Sequence, residues 1–304
     1  MSLHIALVSD QIAMDYLRPA FAARFPDAVL HRIDTEVQEL DALADIDAVV
    51  CWSPPVGLLA RMPRLRLIQS VGAGTDHITR DPGLPDVPLR RIVDPDMAAG
   101  MNAYVAWAVV HGQRHMGGYI ESQRRAAWEE APVVPPGRHR VGIAGLGVLG
   151  QSAARALSAI GYAVRGWSRS AKDGLPPGVE AFHGEAARAD FLAGCDTLVC
   201  LLPLTGDTRG ILDAGLFAQL PRGARLVNAG RGAHLVQDDL LAALASGQLA
   251  SAVLDAFVEE PLPASHPFWR HPRITVTPHV ASRTEPEAIA RQTHDNLARA
   301  RGTP

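Results

Sequence analysis

Three side chains in the second half of the chain are suited to moving protons and holding anions: Arg231, Glu260 and His279. Each follows a predicted β-strand, and in an open parallel α/β sheet ligands bind at the carboxyl ends of the strands. An arginine can hold a carboxylate and polarise the adjacent carbonyl, and a histidine can protonate the carbonyl oxygen. A glutamate can orient that histidine and favour its charged form. Together these groups suit the reduction of a 2-oxo acid by hydride.

Taken singly, each of these residues has an ordinary structural interpretation. Gly-Arg-Gly around Arg231 is a common turn, Glu260 stands beside a proline in a turn-like segment, and a loop histidine is often simply hydrogen-bonded. Glu259, the neighbouring acid, is predicted to be a surface residue. The order of the three at successive strand ends, downstream of a dinucleotide-type turn, favours the catalytic interpretation.

That glycine-rich turn comes directly after an apolar run at 141–144, and an Ala/Leu-rich helical pattern covers 151–160. A strand, a tight turn and a helix in this order place a pyrophosphate on the helix N-terminus. Gly145 permits the sharp turn, Gly147 lets the backbone approach the phosphates, and Gly150 lets helix and strand pack closely. The predicted cofactor-binding turn consists of Gly145, Leu146, Gly147, Val148, Leu149 and Gly150.

The next predicted strand, Ala163–Trp167, ends in Ser168, Arg169 and Ser170. An NAD site would carry an acidic residue here, because a carboxylate accepts hydrogen bonds from the ribose hydroxyls. A guanidinium flanked by hydroxyls suits the 2′-phosphate of NADP instead. We therefore predict NADP(H) as the cofactor. The alternative is NAD, with Arg169 an ordinary solvated residue.

Short apolar runs alternate with helical patterns in both halves of the chain, which predicts parallel sheets covered on both faces. The predicted strands are Leu3–Ser9, Ala28–Ile33, Ala48–Cys51, Leu67–Val71, Leu89–Ile92, Arg140–Ala144, Ala163–Trp167, Thr197–Leu202, Arg225–Asn228, Ala252–Leu254 and Ile274–Thr277. Helical patterns cover Ile12–Phe25, Met97–Trp128, in which Gly117 and Gly118 favour a bend, and Glu285–Ala300. The fold class is therefore α/β, with two doubly wound parallel-sheet domains and a ligand cleft between them.

Net charge, the N-terminal segment and the cysteines limit the binding partners and the cellular location that we expect. The 304 residues carry a net charge of −3, which gives no attraction to nucleic acid or to anionic membranes. The apolar run at the N-terminus is far too short for a signal peptide or a membrane span. The three cysteines, Cys51, Cys195 and Cys200, lie in apolar strand-like runs and form neither a disulfide framework nor a zinc site. We expect a reducing, cytoplasmic location.

Further motifs follow one another in an order typical of a single enzyme family. Beside the glycine turn they are Val71–Ile78, Leu201–Thr205, Asn228–Gly232, Asp255–Pro263 and Thr277–Ala281. In these segments, which extend over nearly the whole chain, the sequence resembles the D-2-hydroxyacid dehydrogenases. Within that family it is most similar to the glyoxylate/hydroxypyruvate reductase A branch, through Trp167–Ser170, Leu235–Leu244 and Pro267–His279.

The resemblance implies a domain organisation and an assembly. A flavodoxin-like substrate domain would comprise residues 1–98 and be completed by the last helix, 283–304. A Rossmann NADP-binding domain would comprise residues 99–282. The family also favours a homodimer, for which the apolar helix around Tyr104, Val105, Trp107, Val109 and Val110 is a candidate face. Packing within the protein is the alternative explanation of that apolar pattern.

The resemblance further implies individual roles. Arg231 would bind and polarise the substrate, Glu260 would orient His279, and His279 would donate the proton. The amides of Gly72, Ala73 and Gly74 would bind the substrate carboxylate, as suits a backbone nest. Asp255 would meet the nicotinamide carboxamide and Leu202 and Pro203 would flank the adenine. The remaining implied cofactor contacts are Asn228, Ala229, Gly230 and Ala281.

Several positions depart from the family pattern or have two interpretations. Where relatives carry Glu-His or Glu-Gln, this chain has Met101–Tyr104, and where many have glycine it has Ala281. Trp52 either lines the substrate pocket or packs in the core, and Arg283 either reaches the substrate or lies on the surface. Alternative functions are a D-lactate-, phosphoglycerate- or phosphonate-type dehydrogenase, or a dinucleotide-sensing scaffold resembling the C-terminal binding protein corepressors.

Overall fold

The computed structural model describes residues 2–33 and 43–301. The chain forms two compact units. The first comprises Met1–Met97 and Arg283–Pro304, and the second comprises Ala98–Ser282. In the first unit the C-terminal helix therefore packs with the N-terminal part of the chain. Asn296 of that helix donates a hydrogen bond of 2.9 Å to the side-chain oxygen of Gln69.

The first unit contains a five-stranded parallel sheet in the order β2-β1-β3-β4-β5. Its strands are β1 (His4–Ser9), β2 (Val29–Ile33), β3 (Ala48–Trp52), β4 (Leu67–Ser70) and β5 (Leu89–Arg90). Strands β1, β3 and β4 are almost completely buried, as expected of parallel strands covered on both faces. Its α-helices within residues 2–33 and 43–301 include Arg18–Arg24, Asp76–Thr79 and Pro286–Arg301. The predicted helix Ile12–Phe25 is shorter, because a 3₁₀ turn at Asp15–Leu17 precedes the α-helix.

The second unit contains a seven-stranded parallel sheet in the order β12-β11-β10-β9-β6-β7-β8. Its strands are β6 (Arg140–Ala144), β7 (Ala163–Ser168), β8 (Glu180–His183), β9 (Thr197–Cys200), β10 (Ala224–Asn228), β11 (Leu249–Leu254) and β12 (Ile274–Val276). The helix Pro95–Gln113 begins in the first unit and continues into the second. The other α-helices of the second unit are Met116–Arg124, Val148–Ile160, Arg188–Ala193, Ala214–Gln219 and Gln237–Ser246. Strand β8 was not predicted, because this short edge strand is polar and mostly exposed.

The predicted single helix Met97–Trp128 is wrong in its length and in the position of its bend. One helix runs over Pro95–Gln113 and a second over Met116–Arg124. They are separated at His115, whose φ of 56° is left-handed and interrupts the helical backbone. The break therefore precedes Gly117 and Gly118, which lie inside the second helix. The Asp94 carboxylate caps the first of these helices by accepting a hydrogen bond from the Met97 amide at 3.3 Å.

The buried His139, directly before β6, should make the stability of the second unit sensitive to acid. Burial lowers the pKa of this imidazole to about 4, and its Nε2 lies 2.8 Å from the Thr197 hydroxyl. An unfolded chain binds the proton near the ordinary histidine pKa of 6.5. The contribution of the neutral His139 ring to the free energy of unfolding is therefore fully present above pH 6.5. It is lost as the pH falls from 6.5 towards 4, by about 2 to 3 kcal/mol.

The variant His139→Gln should reduce this loss, because glutamine can keep the hydrogen bond to Thr197 but does not titrate. Urea unfolding at neutral pH and again near pH 4.5 measures the difference. An equal loss of unfolding free energy in the wild type and the variant would show that His139 does not govern the response.

No helix within residues 2–33 and 43–301 is both long and apolar enough to cross a membrane.

Candidate functional site

The carboxyl edge of the seven-stranded sheet brings the predicted motifs of the second unit to one side. Strands β10, β11 and β12 are neighbours and lead into the segments that carry Arg231, Glu260 and His279. Strands β9, β6 and β7 are also neighbours and lead into Leu202, the glycine turn and Arg169. The chain adds β7 and β8 on one side of β6 and then returns to place β9 on its other side, so the edge has a switch point between β6 and β9. A dinucleotide and a substrate can be bound side by side along such an edge.

Backbone hydrogen bonds connect the loops beyond the strand ends. The Asp255 amide donates to the Asn228 carbonyl at 3.0 Å, and the Thr277 amide donates to Leu254 at 3.0 Å. The His279 amide in turn donates to the Asp255 carbonyl at 2.9 Å. The strand pairing thus continues into the loops, so the segments bearing the three predicted catalytic residues are fixed relative to one another.

His279 and Glu260 form a direct pair. Nδ1 of His279 lies 2.8 Å from Oε2 of Glu260, and Oε1 of the same carboxylate accepts a hydrogen bond from the Phe257 amide at 2.8 Å. An ionised carboxylate only accepts hydrogen bonds, so Nδ1 carries a hydrogen and Nε2 is the ring nitrogen opposite this contact. Both side chains are partly exposed. Glu259 is exposed, as its prediction as a surface residue requires.

Glu260 is held in its ionised form. Burial by itself raises the pKa of this carboxyl, but the hydrogen bond from His279, the charge of His279 and the Phe257 amide outweigh it. The charge of Arg231 acts in the same direction. The net pKa of Glu260 lies below its ordinary value.

Asp255 shapes the turn that carries His279. Its carboxylate is almost fully buried and accepts hydrogen bonds from the amides of Val280 and Ala281, both at 2.8 Å. It also accepts one from the Thr277 hydroxyl at 2.7 Å. His279 has a φ of 52°, a left-handed conformation that few non-glycine residues adopt. The hydrogen bonds to Asp255 compensate for that conformation and fix the imidazole's attachment point.

Tyr104, on the helix Pro95–Gln113, is hydrogen-bonded to the turn that carries His279. Its hydroxyl lies 2.6 Å from the Thr277 hydroxyl. Thr277 donates its only hydroxyl hydrogen to Asp255, so Tyr104 is the donor in its contact with Thr277. Burial raises the pKa of Tyr104 well above its ordinary value, which keeps the donor protonated. This contact could not be predicted from the sequence, because the helical pattern shows only that Tyr104 lies among apolar neighbours.

Arg231 lies at the start of a short 3₁₀ turn, Gly232–His234, beyond β10. Its Nη1 donates to the Gly230 carbonyl at 2.9 Å. Its backbone amide donates to Nδ1 of His234 at 3.1 Å. His234 was not singled out in the sequence; its position three residues after an arginine in a glycine turn was the available signal.

The glycine turn has the geometry that its spacing predicts. Gly145 has a φ of 106°, and a Cβ there would lie 2.6 Å from the Leu201 carbonyl oxygen. A Cβ on Gly150 would overlap the Gly145 carbonyl oxygen. At Gly147, by contrast, no atom lies within 4 Å of the added Cβ, and the helix Val148–Ile160 begins directly after it without a side-chain cap. The amides at this helix start are thus available to phosphate.

Two alanine variants should separate packing from cofactor binding at this turn. Gly150→Ala should lower the unfolding free energy by about 1 to 3 kcal/mol, because strand and helix must move apart. Gly147→Ala should leave stability within about 0.5 kcal/mol but weaken NADPH binding about tenfold or more, because the methyl group projects where a phosphate would approach. Denaturant unfolding and a fluorescence titration with NADPH measure the two effects. Equal behaviour of the two variants would contradict this assignment of the glycines.

The end of β7 presents one cationic side chain. Ser168 is buried, and its hydroxyl donates to the Ser170 carbonyl at 2.8 Å. Arg169 and Ser170 are exposed, and within the described residues the Arg169 guanidinium makes no hydrogen bond or ion pair. Ser168 therefore shapes the turn, whereas Arg169 and Ser170 are the groups that can contact a phosphate.

The segment after β9 lies beside the glycine turn. The Leu201 amide donates to the Ala144 carbonyl at 2.8 Å, which brings the predicted adenine-side residues Leu202 and Pro203 next to Gly145. The Ala229 amide donates to the Cys200 carbonyl at 3.3 Å. The predicted cofactor residues of β6, β9 and β10 therefore form a continuous edge.

In the first unit the loop Gly72–Gly74 is shaped by Ser70. The Ser70 hydroxyl accepts from the Gly72 amide at 3.2 Å and donates to the Gly74 carbonyl at 2.8 Å. The predicted carboxylate-binding amides thus divide into two classes. Gly72 bonds within the loop, whereas the amides of Ala73 and Gly74 make no hydrogen bond within residues 2–33 and 43–301.

Trp52 lies against the same loop. A Cβ on Gly72 would be 3.4 Å from Cζ3 of Trp52, and the indole packs on the His77 ring with 4.0 Å between ring centroids. Arg283 is exposed and lies close enough to Tyr16 for its charge to lower the pKa of that phenol, although burial raises it more strongly.

The comparison with known families decides the classification of the chain. Residues 106–281 match the family described as D-isomer specific 2-hydroxyacid dehydrogenase, NAD binding domain. The chain belongs to the D-isomer specific 2-hydroxyacid dehydrogenase family. A relative from Serratia proteamaculans, named glyoxylate/hydroxypyruvate reductase A, is 46% identical over 257 residues, which is 83% of this chain and 82% of the relative. A relative of the same name from Yersinia enterocolitica is 42% identical over 257 residues, with the same coverage.

Solved structures of this dehydrogenase family share the fold. An NADPH-dependent glyoxylate/hydroxypyruvate reductase from Sinorhizobium meliloti, in complex with NADP and sulfate, aligns with a TM-score of 0.91 and 38% identity. A D-isomer specific 2-hydroxyacid dehydrogenase from Xanthobacter autotrophicus, in complex with NADPH and MES, aligns with a TM-score of 0.90 and 36% identity. In both cases the alignment covers 100% of this chain and 96% of the other. The predicted resemblance and the predicted pair of parallel α/β sheets are thereby confirmed.

Proposed function

We propose that this protein reduces glyoxylate, hydroxypyruvate and similar small 2-oxo acids to D-2-hydroxy acids with NADPH. One observation carries the proposal: Nδ1 of His279 lies 2.8 Å from Glu260 at the same sheet edge as a dinucleotide-type glycine turn. The names of the Serratia and Sinorhizobium relatives support the same substrates and cofactor.

In this mechanism the cofactor supplies a hydride to the carbonyl carbon, and the chain's residues do the rest. Arg231 binds the substrate carboxylate and polarises the carbonyl. Charged His279 donates the proton at Nε2 to the carbonyl oxygen, and a solvent proton then restores it. Glu260 holds Nδ1 and stabilises the charged ring. One hydride and one proton convert the carbonyl to an alcohol, which balances the reaction.

The cofactor assignment rests on the glycine turn and on the end of β7. The amides from Gly145 to Gly150 accommodate the pyrophosphate, and Arg169 with Ser170 binds the 2′-phosphate of NADPH. NADH is the weaker cofactor, because it offers no charge to Arg169. The other proposed cofactor contacts are Leu146, Val148, Leu149, Leu202, Pro203, Asn228, Ala229, Gly230, Asp255 and Ala281. Ser168 acts on the cofactor through the turn that it shapes.

The substrate contacts outside the second unit are assigned to the loop Gly72–Gly74. The amides of Ala73 and Gly74 are available for a carboxylate, with the Gly72 amide completing the turn. Trp52 packs beside Gly72 and limits the space next to this loop. We accordingly propose residues 1–98 with 283–304 as the substrate domain, and residues 99–282 as the cofactor-binding domain, which also carries Arg231 and His279.

A panel assay tests the proposed function directly. Purified protein, NADPH and one of glyoxylate, hydroxypyruvate, pyruvate or a phosphorylated 2-oxo acid should show rapid loss of NADPH with the first two. Faster turnover of pyruvate or of the phosphorylated acid would assign a different dehydrogenase activity. No turnover of any acid, with NADPH still bound tightly, would identify a dinucleotide-sensing scaffold.

We further propose that two copies of the chain associate as a homodimer through the segment 107–134. Val105 and Val109 of the predicted face are buried in the second unit's own core, which corrects the extent of that face. Large apolar side chains nevertheless remain exposed farther along, above all Trp128 at 93%. The others in this segment are Trp107, Met116, Ile120, Val133 and Val134. Exposed apolar surface of this kind is typical of an interface.

Sedimentation analysis of Trp128→Ser with Ile120→Glu tests this assembly, and the variant should sediment as a monomer. Ile160→Glu, an exposed apolar position of the same unit outside the segment, serves as the control and should remain a dimer. A monomeric wild type would contradict the proposal.

A cytoplasmic location is proposed from the cysteines. All three are unpaired and buried. Burial raises the pKa of the thiols of Cys195 and Cys200 to about 12, so they are protonated and unreactive. Recovery of the native protein in a secreted fraction of its host would contradict this location.

A further inference from the structure

His234 is a fully buried histidine that contacts the backbone of Arg231. Its Nδ1 accepts the Arg231 amide hydrogen at 3.1 Å. The Cys200 sulfur lies 3.7 Å from the same nitrogen, and because burial keeps that thiol protonated it too is a donor. Two donors directed at Nδ1 require an imidazole with no hydrogen on that atom, which is the neutral ring.

The opposite side of the Arg231 residue is held by Asn228. The side-chain amide of this fully buried asparagine donates to the Arg231 carbonyl at 3.0 Å, and its oxygen accepts from the Gly230 amide at 3.2 Å. The N–H and the C=O of Arg231 are therefore each bonded to a different buried side chain. A residue fixed at both ends has little backbone freedom, so its side chain starts from a defined point.

His234 is itself firmly placed. Its amide donates to the Arg231 carbonyl at 3.1 Å, and its carbonyl accepts from the Leu212 amide at 2.8 Å. The ring packs so closely on the loop that a Cβ on Gly230 would lie 2.9 Å from Nδ1. On the far side, a Cβ on Gly232 would overlap the backbone of Phe257, which belongs to the segment leading to Glu260. The loop is thus confined between the imidazole and that segment.

From this geometry we infer that His234 is a positioning residue that fixes the Arg231 backbone and thereby aims its guanidinium at the substrate carboxylate. This inference rests on the proposed function and adds a residue that acts through Arg231 without touching substrate. A change at His234 should therefore affect carboxylate binding more than cofactor binding. A purely structural role would instead lower stability without altering substrate affinity selectively.

Two substitutions distinguish these roles. His234→Asn places an oxygen close to the position of Nδ1 and keeps the acceptor, whereas His234→Leu keeps the approximate volume and removes it. In His234→Leu we expect the KM for glyoxylate to rise about tenfold or more, with the NADPH Kd within about twofold of the wild type. His234→Asn should restore most of the lost affinity. If both variants raise KM equally, or if only stability changes, the inference is overturned.

A matched control exists in the same unit. Nδ1 of His266 accepts the Phe268 amide at 3.3 Å at the start of another 3₁₀ turn. His266→Leu removes a hydrogen bond of the same kind at a turn without Arg231. It should leave the KM for glyoxylate unchanged, and an increase as large as in His234→Leu would show that the effect is not specific to Arg231.

Two further measurements separate this inference from the proposed function. In an Arg231→Ala background, His234→Leu should cause no additional loss, because its effect passes through the missing guanidinium. Calorimetric binding of oxalate, a carboxylate mimic of the substrate, to the NADP complex reports affinity without turnover. An inactive wild type would refute the proposed function, whereas undiminished oxalate binding in His234→Leu would refute the positioning role.

Discussion

His279→Gln should lower kcat for glyoxylate reduction by about 10²- to 10⁴-fold. Glutamine can still form hydrogen bonds to Glu260 and to the substrate, but it cannot transfer a proton. The Asp255 hydrogen bonds that shape the turn come from the amides of Val280 and Ala281 and from Thr277, so the backbone should keep its conformation. NADPH affinity should therefore remain within about twofold of the wild type.

Steady-state kinetics and an NADPH titration on the same preparation measure both quantities. His183→Gln, at an exposed histidine of the edge strand β8, is the control and should keep full activity. A decrease of less than about tenfold in His279→Gln would mean that another group donates the proton.

Arg169→Asp should reverse the cofactor preference. The guanidinium is exposed at the end of β7 and, within the described residues, has no protein partner to satisfy. Its removal costs a charge-assisted contact to the 2′-phosphate, and the aspartate adds repulsion to that phosphate. We expect kcat/KM with NADPH to fall about 10²-fold, and kcat/KM with NADH to stay constant or rise because a carboxylate can accept the ribose hydroxyls.

The matched control for charge is Lys172→Asp, which makes the same change in charge three residues farther along, also at an exposed position. It should change the ratio of NADPH to NADH activity by less than about threefold, since long-range effects between exposed charges are screened. An unchanged cofactor ratio in Arg169→Asp would show that the 2′-phosphate is bound elsewhere.

The elements whose apolar sequence pattern follows directly from burial could be predicted from the sequence. The central strands β1, β3, β6 and β9 are largely apolar runs, because parallel strands in the middle of a sheet are covered on both faces. Their ends were therefore visible in the sequence, and with them the segments of Arg231, Glu260 and His279. The glycine turn was predictable for a similar reason, since Gly145 and Gly150 meet backbone atoms that exclude a Cβ.

Features that depend on tertiary contacts were not predictable. Strand β8 is polar and forms only because β7 provides a paired edge. The helix break at His115 has no proline or glycine to signal it, and the glycines that follow are helical. The contacts of Tyr104 with Thr277 and of His234 with Arg231 join residues whose roles are undefined until the loops are folded together.

The most direct test of the central claim follows the hydrogen atoms. Hydroxypyruvate is reduced with NADPH carrying deuterium at the transferred position of the nicotinamide, and the glycerate is analysed by mass spectrometry and chiral chromatography. If hydride is transferred beside His279, the wild type should form D-glycerate with one deuterium at C2. His279→Gln should form the same labelled product at a rate lowered in proportion to its kcat. Glycerate without deuterium, the L-isomer, or the absence of any product would contradict the account.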